Sequence, residues 1–131
     1  MVSSITPCLM FEGRAEEAMT FYVGLFPESR IEEMERYGPG EAGREGSVRR
    51  ARFSLGRQSV MCIDSPVSHA FSFTPSFSFF VECESETRIR ELHAVLGDGG
   101  GELMPLDDYG FSRAFAWLND RFGVSWQLNL A

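Results

Sequence analysis

The chain has 131 residues and a formal charge of -7, with 12 basic against 19 acidic side chains, and its length suits one compact domain. The acidic balance excludes nucleic acid as a partner, because affinity for phosphates comes mostly from basic side chains. No apolar run approaches the roughly 20 residues that span a bilayer, so we expect no membrane partner. Three cysteines, which cannot all pair within one chain, and the absence of a charged-then-apolar leader predict a cytoplasmic location.

The first half of the chain predicts one strand, one helix and three further strands. A strand at residues 4–11 precedes a helix at 15–25, in which Ala15, Ala18 and Tyr22 recur at helical spacing. Phe26-Pro27 ends this helix, since the residue before a proline is pushed out of helical geometry. The three strands that follow are predicted at residues 30–37, 48–55 and 58–64.

The second half predicts the same order of elements. A strand at residues 76–83 leads to a helix at 86–96, with Ser85 as its N-cap and Gly97 as its C-cap. The remaining strands are predicted at residues 102–104, at 112–119 and from 124 onwards. Thr6-Pro7 and Thr74-Pro75 open the corresponding first strands of the two halves.

This repetition predicts an α+β fold of two βαβββ units related by pseudo-twofold symmetry, at about residues 4–64 and 74–130 of a single domain, 1–131. Each unit alone would leave one sheet face uncovered, so the two must join to close a core or to enclose a shared cavity. Residues 38–46 contain four glycines and a proline, which predicts either a mobile loop over a cleft or a plain connector.

The closing strand has one apolar and one polar face. Trp126 and its apolar neighbours alternate with Ser125, Gln127 and Asn129. The polar row either faces bulk water or lines a cavity that binds a ligand. Alternatively, these side chains hydrogen-bond to each other or to neighbouring strands.

The segments "ITPCLMFEGRAEEAMTFYVGLFPES" and "FAWLNDRFGVSWQLNL" frame a duplicated chain that resembles the vicinal oxygen chelate superfamily, which contains glyoxalase I, extradiol dioxygenases and fosfomycin and bleomycin resistance proteins. Three further segments, "SLGRQSVMCID", "FTPSFSFFVEC" and "DRFGVSWQ", resemble its PhnB-like branch, which is often labelled a demethylubiquinone methyltransferase. The resemblance implies curved mixed sheets that enclose a cleft, and a homodimer.

The resemblance also implies which side chains face the cleft. With the Thr-Pro and glycine landmarks as anchors, β-strand alternation gives a set of candidate ligand-binding residues: Gln127, Ser125, Asn129, Cys8, Met10, Cys62, Ser76, Phe80 and Trp117.

The metal-dependent members of the superfamily take four ligands from such strands. Gln127 stands where they place a terminal glutamate, whereas Ser76 stands where a histidine is usual. One neutral amide would leave a divalent cation almost fully hydrated, so we expect no metal cofactor. The remaining route to a metal is a thiolate site, if Cys8 and Cys62 face the same cleft.

Other chemistries find little support in the sequence. The glycine run at residues 97–101 follows a helix and precedes a strand, which is the reverse of the order in a loop that binds S-adenosylmethionine, so the methyltransferase label is not supported. His69 and His93 lack a triad pattern. Most acidic residues are expected in solvated turns or edges, with Asp120 bonding the backbone of the final turn.

The sequence therefore predicts a homodimer that binds a small organic molecule in the inter-sheet cleft, with turnover unproven. One alternative is a lyase, isomerase or oxidoreductase that uses a metal or thiol site around Cys8, Cys62 and Gln127. Another is a dimeric interaction module with a filled cleft, since the phenylalanines at residues 71–80 exceed what one strand face can bury.

Overall fold

The structure is a computed structural model that describes residues 1–131, and it confirms an α+β fold of two βαβββ units. The units comprise Met1–His69 and Ala70–Ala131. The first contains, in order, β1 (Cys8–Phe11), α1 (Ala15–Leu25), β2 (Arg30–Arg36), β3 (Val48–Leu55) and β4 (Gln58–Asp64). The second contains β5 (Ser78–Glu82), α2 (Glu86–Gly97), β6 (Gly101–Asp107), β7 (Ala114–Asn119) and β8 (Ser125–Leu130).

The two sheets have the same topology. The strand order is β1-β4-β3-β2 in the first and β5-β8-β7-β6 in the second. In each sheet the first strand of the unit runs parallel to the last, and the other pairs are antiparallel. The repeat of elements predicted from the sequence is therefore a repeat of strand pairing as well.

In the first unit, α1 covers one face of the sheet. Met19 and Tyr22 of α1 are fully buried, and the Tyr22 ring stacks on Phe53 of β3 with centroids 6.3 Å apart. The Met19 sulfur also lies 3.7 Å from the Cys62 thiol of β4. Each such side chain stabilises the fold by about 1.5–3 kcal/mol through the apolar surface that it buries.

In the second unit, α2 packs on β7 and β8 through Ile89, Leu92 and Leu96, all buried. The Trp126 ring of β8 lies against Phe79 of β5, with centroids 4.8 Å apart. Trp126 and Phe79 are paired residues on adjacent strands, so their side chains share one face of the sheet.

Element boundaries follow the prediction with a few shifts. The helix at 15–25 and the strands at 48–55 and 58–64 are confirmed, and Ser85 caps α2 by accepting a hydrogen bond from the Arg88 N–H at 3.1 Å. The C-cap of α2 is Asp98 rather than Gly97. Predicted strand 102–104 is longer in the structure, because Pro105 falls at an edge where no ladder hydrogen bond is required of it.

The glycine-rich segment 38–46 is tied at both ends. The Tyr37 N–H donates to the Ser47 carbonyl and the Gly46 N–H donates to the Tyr37 carbonyl, both at 2.9 Å. Glu41 pairs with Arg49 at 2.7 Å. Neither α1 nor α2 is long and apolar enough to cross a membrane.

Candidate functional site

Strand register places four side chains in one row across the second sheet. Phe80 pairs with Gln127, Gln127 with Trp117, and Trp117 with Met104, so the row crosses all four strands. Directly paired residues point to the same face, and this face is opposite to the one that carries Trp126 and α2. We call it the open face. The row places the Gln127 amide between the Trp117 indole and the Phe80 ring.

Hydrogen bonds connect the polar side chains of the open face. Gln127 Nε2 donates to Ser78 Oγ at 2.7 Å, and Trp117 Nε1 donates to Ser125 Oγ at 2.9 Å. Asn129 Nδ2 donates to Glu82 Oε2 of β5 at 3.0 Å. The alternative in which these side chains bond to neighbouring strands is therefore confirmed.

Gln127 keeps one polar atom unused. Its Nε2 is held by Ser78, whereas no hydrogen bond reaches its Oε1, and the residue is only partly buried. Ser125, by contrast, is 1% exposed and its hydroxyl also donates to the Pro75 carbonyl at 3.3 Å. Gln127 is thus the accessible acceptor of the row, and Ser125 orients Trp117.

Ser76 lies outside the strand in which it was predicted. β5 begins at Ser78, and Ser76 is an exposed turn residue whose Oγ lies 2.9 Å from Thr74 Oγ1. The Ser76 hydroxyl is engaged in the turn that follows Thr74-Pro75, and β5 begins two residues after Ser76.

The first sheet places the two predicted thiols on opposite faces. Cys62 is fully buried against Met19 on the helix side, so the predicted inward parity of β4 is wrong and Val60 shares the helix side. Cys8 and Met10 alternate with buried Leu9, and they lie on the other face. A cysteine pair that shares one cleft is excluded by this register.

Desolvation raises the pKa of both thiols, although only Cys62 is buried and Cys8 is exposed at the surface. Desolvation raises the pKa of Cys62 to about 12, with Cys8 and Asp64 adding to the rise. Desolvation also raises the pKa of Cys8, while the Arg50 charge lowers it in part. At neutral pH both groups are thiols, which are poor nucleophiles and poor metal ligands.

The residues present do not fit a divalent metal site. No group of three or more His, Cys, Asp or Glu side chains is arranged to hold an ion. Gln127 offers only one neutral amide oxygen, and the Cys62 thiol points at a methionine sulfur on the helix side.

Two aspartates expected in solvated positions are buried. Asp64, 3% exposed, accepts from the N–H groups of Gly13 and Ala15 at 2.8 and 2.9 Å through Oδ1, and from Val48 N–H at 2.9 Å through Oδ2. Asp120, also 3% exposed, accepts from Phe122 N–H at 2.8 Å, as predicted for the final turn. Both carboxylates hold backbone together, and backbone donors replace the water they lose.

Asp120 also has a contact that the sequence did not predict. Its Oδ2 accepts from Trp126 Nε1 at 2.9 Å, which links the final turn to the helix side of β8.

Neither histidine lies on the open face. His93 Nε2 lies 2.6 Å from Glu102 Oε1, which links α2 to β6, and His69 Nε2 lies 2.8 Å from Ser65 Oγ. The His93 pair borders a shallow groove of about 470 Å³ with Asp98 and Arg121. Each histidine therefore has a local partner in its own unit.

The glycines after α2 turn the chain into β6. A Cβ on Gly100 would fall on the backbone carbonyl of Asn119, so the position requires glycine for close approach. Gly99 has a φ of 78°, in the left-handed region that glycine adopts freely. The run is explained by the turn, in agreement with the sequence analysis.

Residues 3–129 match the 3-demethylubiquinone-9 3-methyltransferase family. A PhnB protein from Bacillus cereus is 52% identical, with a TM-score of 0.95 over 98% of this chain and 100% of that one. The fosfomycin resistance protein FosX from Mesorhizobium loti is 11% identical, with a TM-score of 0.61 over 100% and 94%. A glyoxylase/bleomycin resistance protein/dioxygenase domain from Frankia is 16% identical, with a TM-score of 0.60 over 100% and 93%.

The duplicated βαβββ topology and these structural matches define the class of protein by its fold, which is the glyoxalase fold, as the sequence resemblance implied. Within that class, the chain belongs to the 3-demethylubiquinone-9 3-methyltransferase family, in its PhnB-like branch. The sequence matches none of the curated proteins with which it was compared.

Proposed function

We propose that this chain binds a small organic molecule on the open face of the second sheet. The observation that carries the proposal is the row in which Gln127 stands between Phe80 and Trp117, with its Oε1 free to accept a hydrogen bond. Apolar walls with a few oriented polar groups are typical of small-molecule sites. We also propose that this face lines a cleft, as the family resemblance implies.

The row offers a ligand both apolar and polar contacts. Phe80 is 55% exposed and offers a ring face for stacking, and Trp117 is held in one orientation by Ser125. Ser78 holds the Gln127 amide in the same way, which directs its carbonyl oxygen. A planar ligand with one hydrogen-bond donor matches these groups, and little side-chain entropy is lost on binding because the contacts are already ordered.

We do not propose methyl transfer for this chain, although the name of the family includes it. The glycines at residues 97–101 connect a helix to a strand, and Gly100 packs against protein backbone. A loop that lets a cofactor approach the backbone runs from a strand into a helix.

We also propose a cytoplasmic homodimer. Several large apolar side chains are exposed, among them Phe71 and Phe77 at 64% and 60%, and such side chains favour an association surface. The three cysteines are all free thiols, which suits a reducing compartment. A purely dimeric interaction module is the second candidate function, supported by the same exposed rings.

Native mass spectrometry of the purified chain tests ligand binding. We expect a bound species above the mass of the protein that Gln127→Ala weakens at least about tenfold, since a hydrogen bond in a desolvated site contributes on the order of 1 kcal/mol and its loss leaves a ligand donor unpaired. Gln58→Ala is the matched control, because Gln58 is exposed and donates only to the adjacent Ser59 carbonyl. Equal binding by both variants would overturn the role of Gln127.

A further inference from the structure

The open face continues beyond Gln127 into a second row, in which Glu82, Asn129 and Phe115 are neighbours. Four aromatic rings lie in this row or next to it, and we call them the aromatic cluster: Phe80, Tyr109, Phe111 and Phe115. The Phe115 centroid lies 6.4 Å from Phe80, 6.2 Å from Tyr109 and 5.1 Å from Phe111. Phe115 is buried at its centre, whereas Phe111 is 62% exposed.

The loop between β6 and β7 fixes two of these rings in place. The Tyr109 hydroxyl donates to the Pro105 carbonyl at 2.5 Å, and the Gly110 N–H donates to Asp108 Oδ1 at 2.8 Å. Tyr109 and Phe111 are stacked, with 15° between their ring planes. Hydrogen bonds and ring stacking within the loop therefore organise this part of the aromatic cluster.

The polar atoms next to the aromatic cluster are acceptors. Glu82 is exposed and its Oε2 accepts from Asn129 Nδ2 at 3.0 Å. Asn129 is 7% exposed, and its Oδ1 has no hydrogen-bond partner although it is buried. A buried carbonyl without a donor costs free energy that a ligand N–H can recover.

The basic side chain of the loop between β6 and β7 is engaged away from this row. Arg113 precedes β7, and its Nε donates to the Ala131 carbonyl at 2.6 Å. It borders a hollow of about 250 Å³ beside α2, together with Glu86 and Arg90. The ring faces and the Glu82 carboxylate thus present negative potential without a neutralising guanidinium from that segment.

We propose that the aromatic cluster and Glu82 bind the positively charged end of the ligand, which is a protonated organic amine. The inference rests on the proposed function and specifies the chemical class of its ligand. Ring faces attract cations through their quadrupole, Glu82 supplies the opposite charge, and Asn129 Oδ1 accepts an ammonium N–H. An anionic ligand would face the carboxylate and an unpaired acceptor, and is disfavoured.

Three probes of nearly equal size test the charge preference on the full chain by calorimetry: 2-phenylethylammonium, 2-phenylethanol and phenylacetate. We expect the ammonium to bind about tenfold tighter than the alcohol, and phenylacetate to bind most weakly. Glu82→Gln should remove most of that preference by weakening the binding of the ammonium. Glu84→Gln makes the same change of net charge at an exposed residue outside the open face, and it should have no effect.

Phe111→Ser, in an exposed loop, is a second variant that spares the sheet and should weaken the ammonium at least about threefold. Equal affinity for the ammonium and the alcohol would overturn the amine class but leave small-molecule binding intact. Absence of binding by all three probes, together with no bound species in native mass spectrometry, would overturn both proposals. Concentration-dependent self-association that Phe111→Ser abolishes would assign the rings to a second copy and overturn the amine site.

Discussion

Asp64 of β4 holds two separate segments of the first unit, the start of α1 and the start of β3, with one carboxylate. Its oxygens accept from the loop before α1, from the first residue of α1 and from the start of β3. Asp64→Asn would replace one acceptor oxygen by an NH2 group that faces a backbone N–H. We expect it to lower the free energy of unfolding by about 1.5–3 kcal/mol, the range for hydrogen bonds to charged groups.

Urea unfolding of Asp64→Asn and Asp98→Asn would check this prediction. Asp98 is exposed and makes no hydrogen bond through its side chain, so its variant should stay within about 0.5 kcal/mol of the parent. A loss below about 0.5 kcal/mol for Asp64→Asn would contradict the role of the buried carboxylate.

Cys62 and Cys8 should differ sharply in reactivity. Desolvation raises the pKa of Cys62 to about 12, so almost none of it is thiolate at pH 8, and the helix side of the sheet blocks access. Cys8 is exposed. We expect iodoacetamide at pH 8 to modify Cys8 in the native protein and Cys62 only after unfolding, as read by peptide mass spectrometry. Equal labelling of both in the native state would show that the assigned parity of β4 is incorrect.

The connection from α2 to β6 requires glycine at Gly100 but not at Gly101. Gly100→Ala would drive a Cβ into the backbone carbonyl of Asn119, whereas a Cβ on Gly101 meets no atom within 4 Å. We expect Gly100→Ala to lower stability by more than about 2 kcal/mol and Gly101→Ala to be neutral or slightly stabilising. Thermal unfolding of the pair measures the difference, and similar melting temperatures would count against the tight packing of this turn.

The open face of β8 could be predicted because its two faces differ in chemistry. Trp126 and Leu128 oppose Ser125 and Gln127, so alternation alone separates the dry face from the polar one. β4 offers no such contrast, because Val60 and Cys62 on one face are as apolar as Met61 and Ile63 on the other. Period-two patterning cannot choose between them, and the inward parity predicted for β4 was wrong.

Contacts distant in sequence could not be predicted. Asp64 bonds to residues 51, 49 and 16 positions away, and no local pattern near it encodes those donors. Tyr109 and Phe111 of the aromatic cluster lie in a loop whose course depends on its own turn hydrogen bonds. The side-chain bonds within β8's polar row depend on rotamers, which the strand pattern leaves open.

Taken as a whole, the molecule contains one folding unit twice, and its exposed aromatic rings support the proposed homodimer. We expect sedimentation equilibrium to give twice the chain mass of 14.7 kDa at micromolar concentration, because several large aromatic rings are exposed on the single chain. A mass of one chain across the concentration range would contradict the proposed homodimer and leave the ligand site of the second unit unaffected.

The most direct test of ligand binding on the open face uses the two indole N–H resonances of the chain. Trp117 lies on the open face beside Gln127, and Trp126 lies on the opposite face, bonded to Asp120. On titration with 2-phenylethylammonium or with the co-purified ligand, we expect the Trp117 indole and the Gln127 side-chain amide to shift in nitrogen-proton correlation spectra, while the Trp126 indole stays fixed. A shift confined to Trp126, or no shift in Gln127 and Trp117 at saturation, would contradict the account.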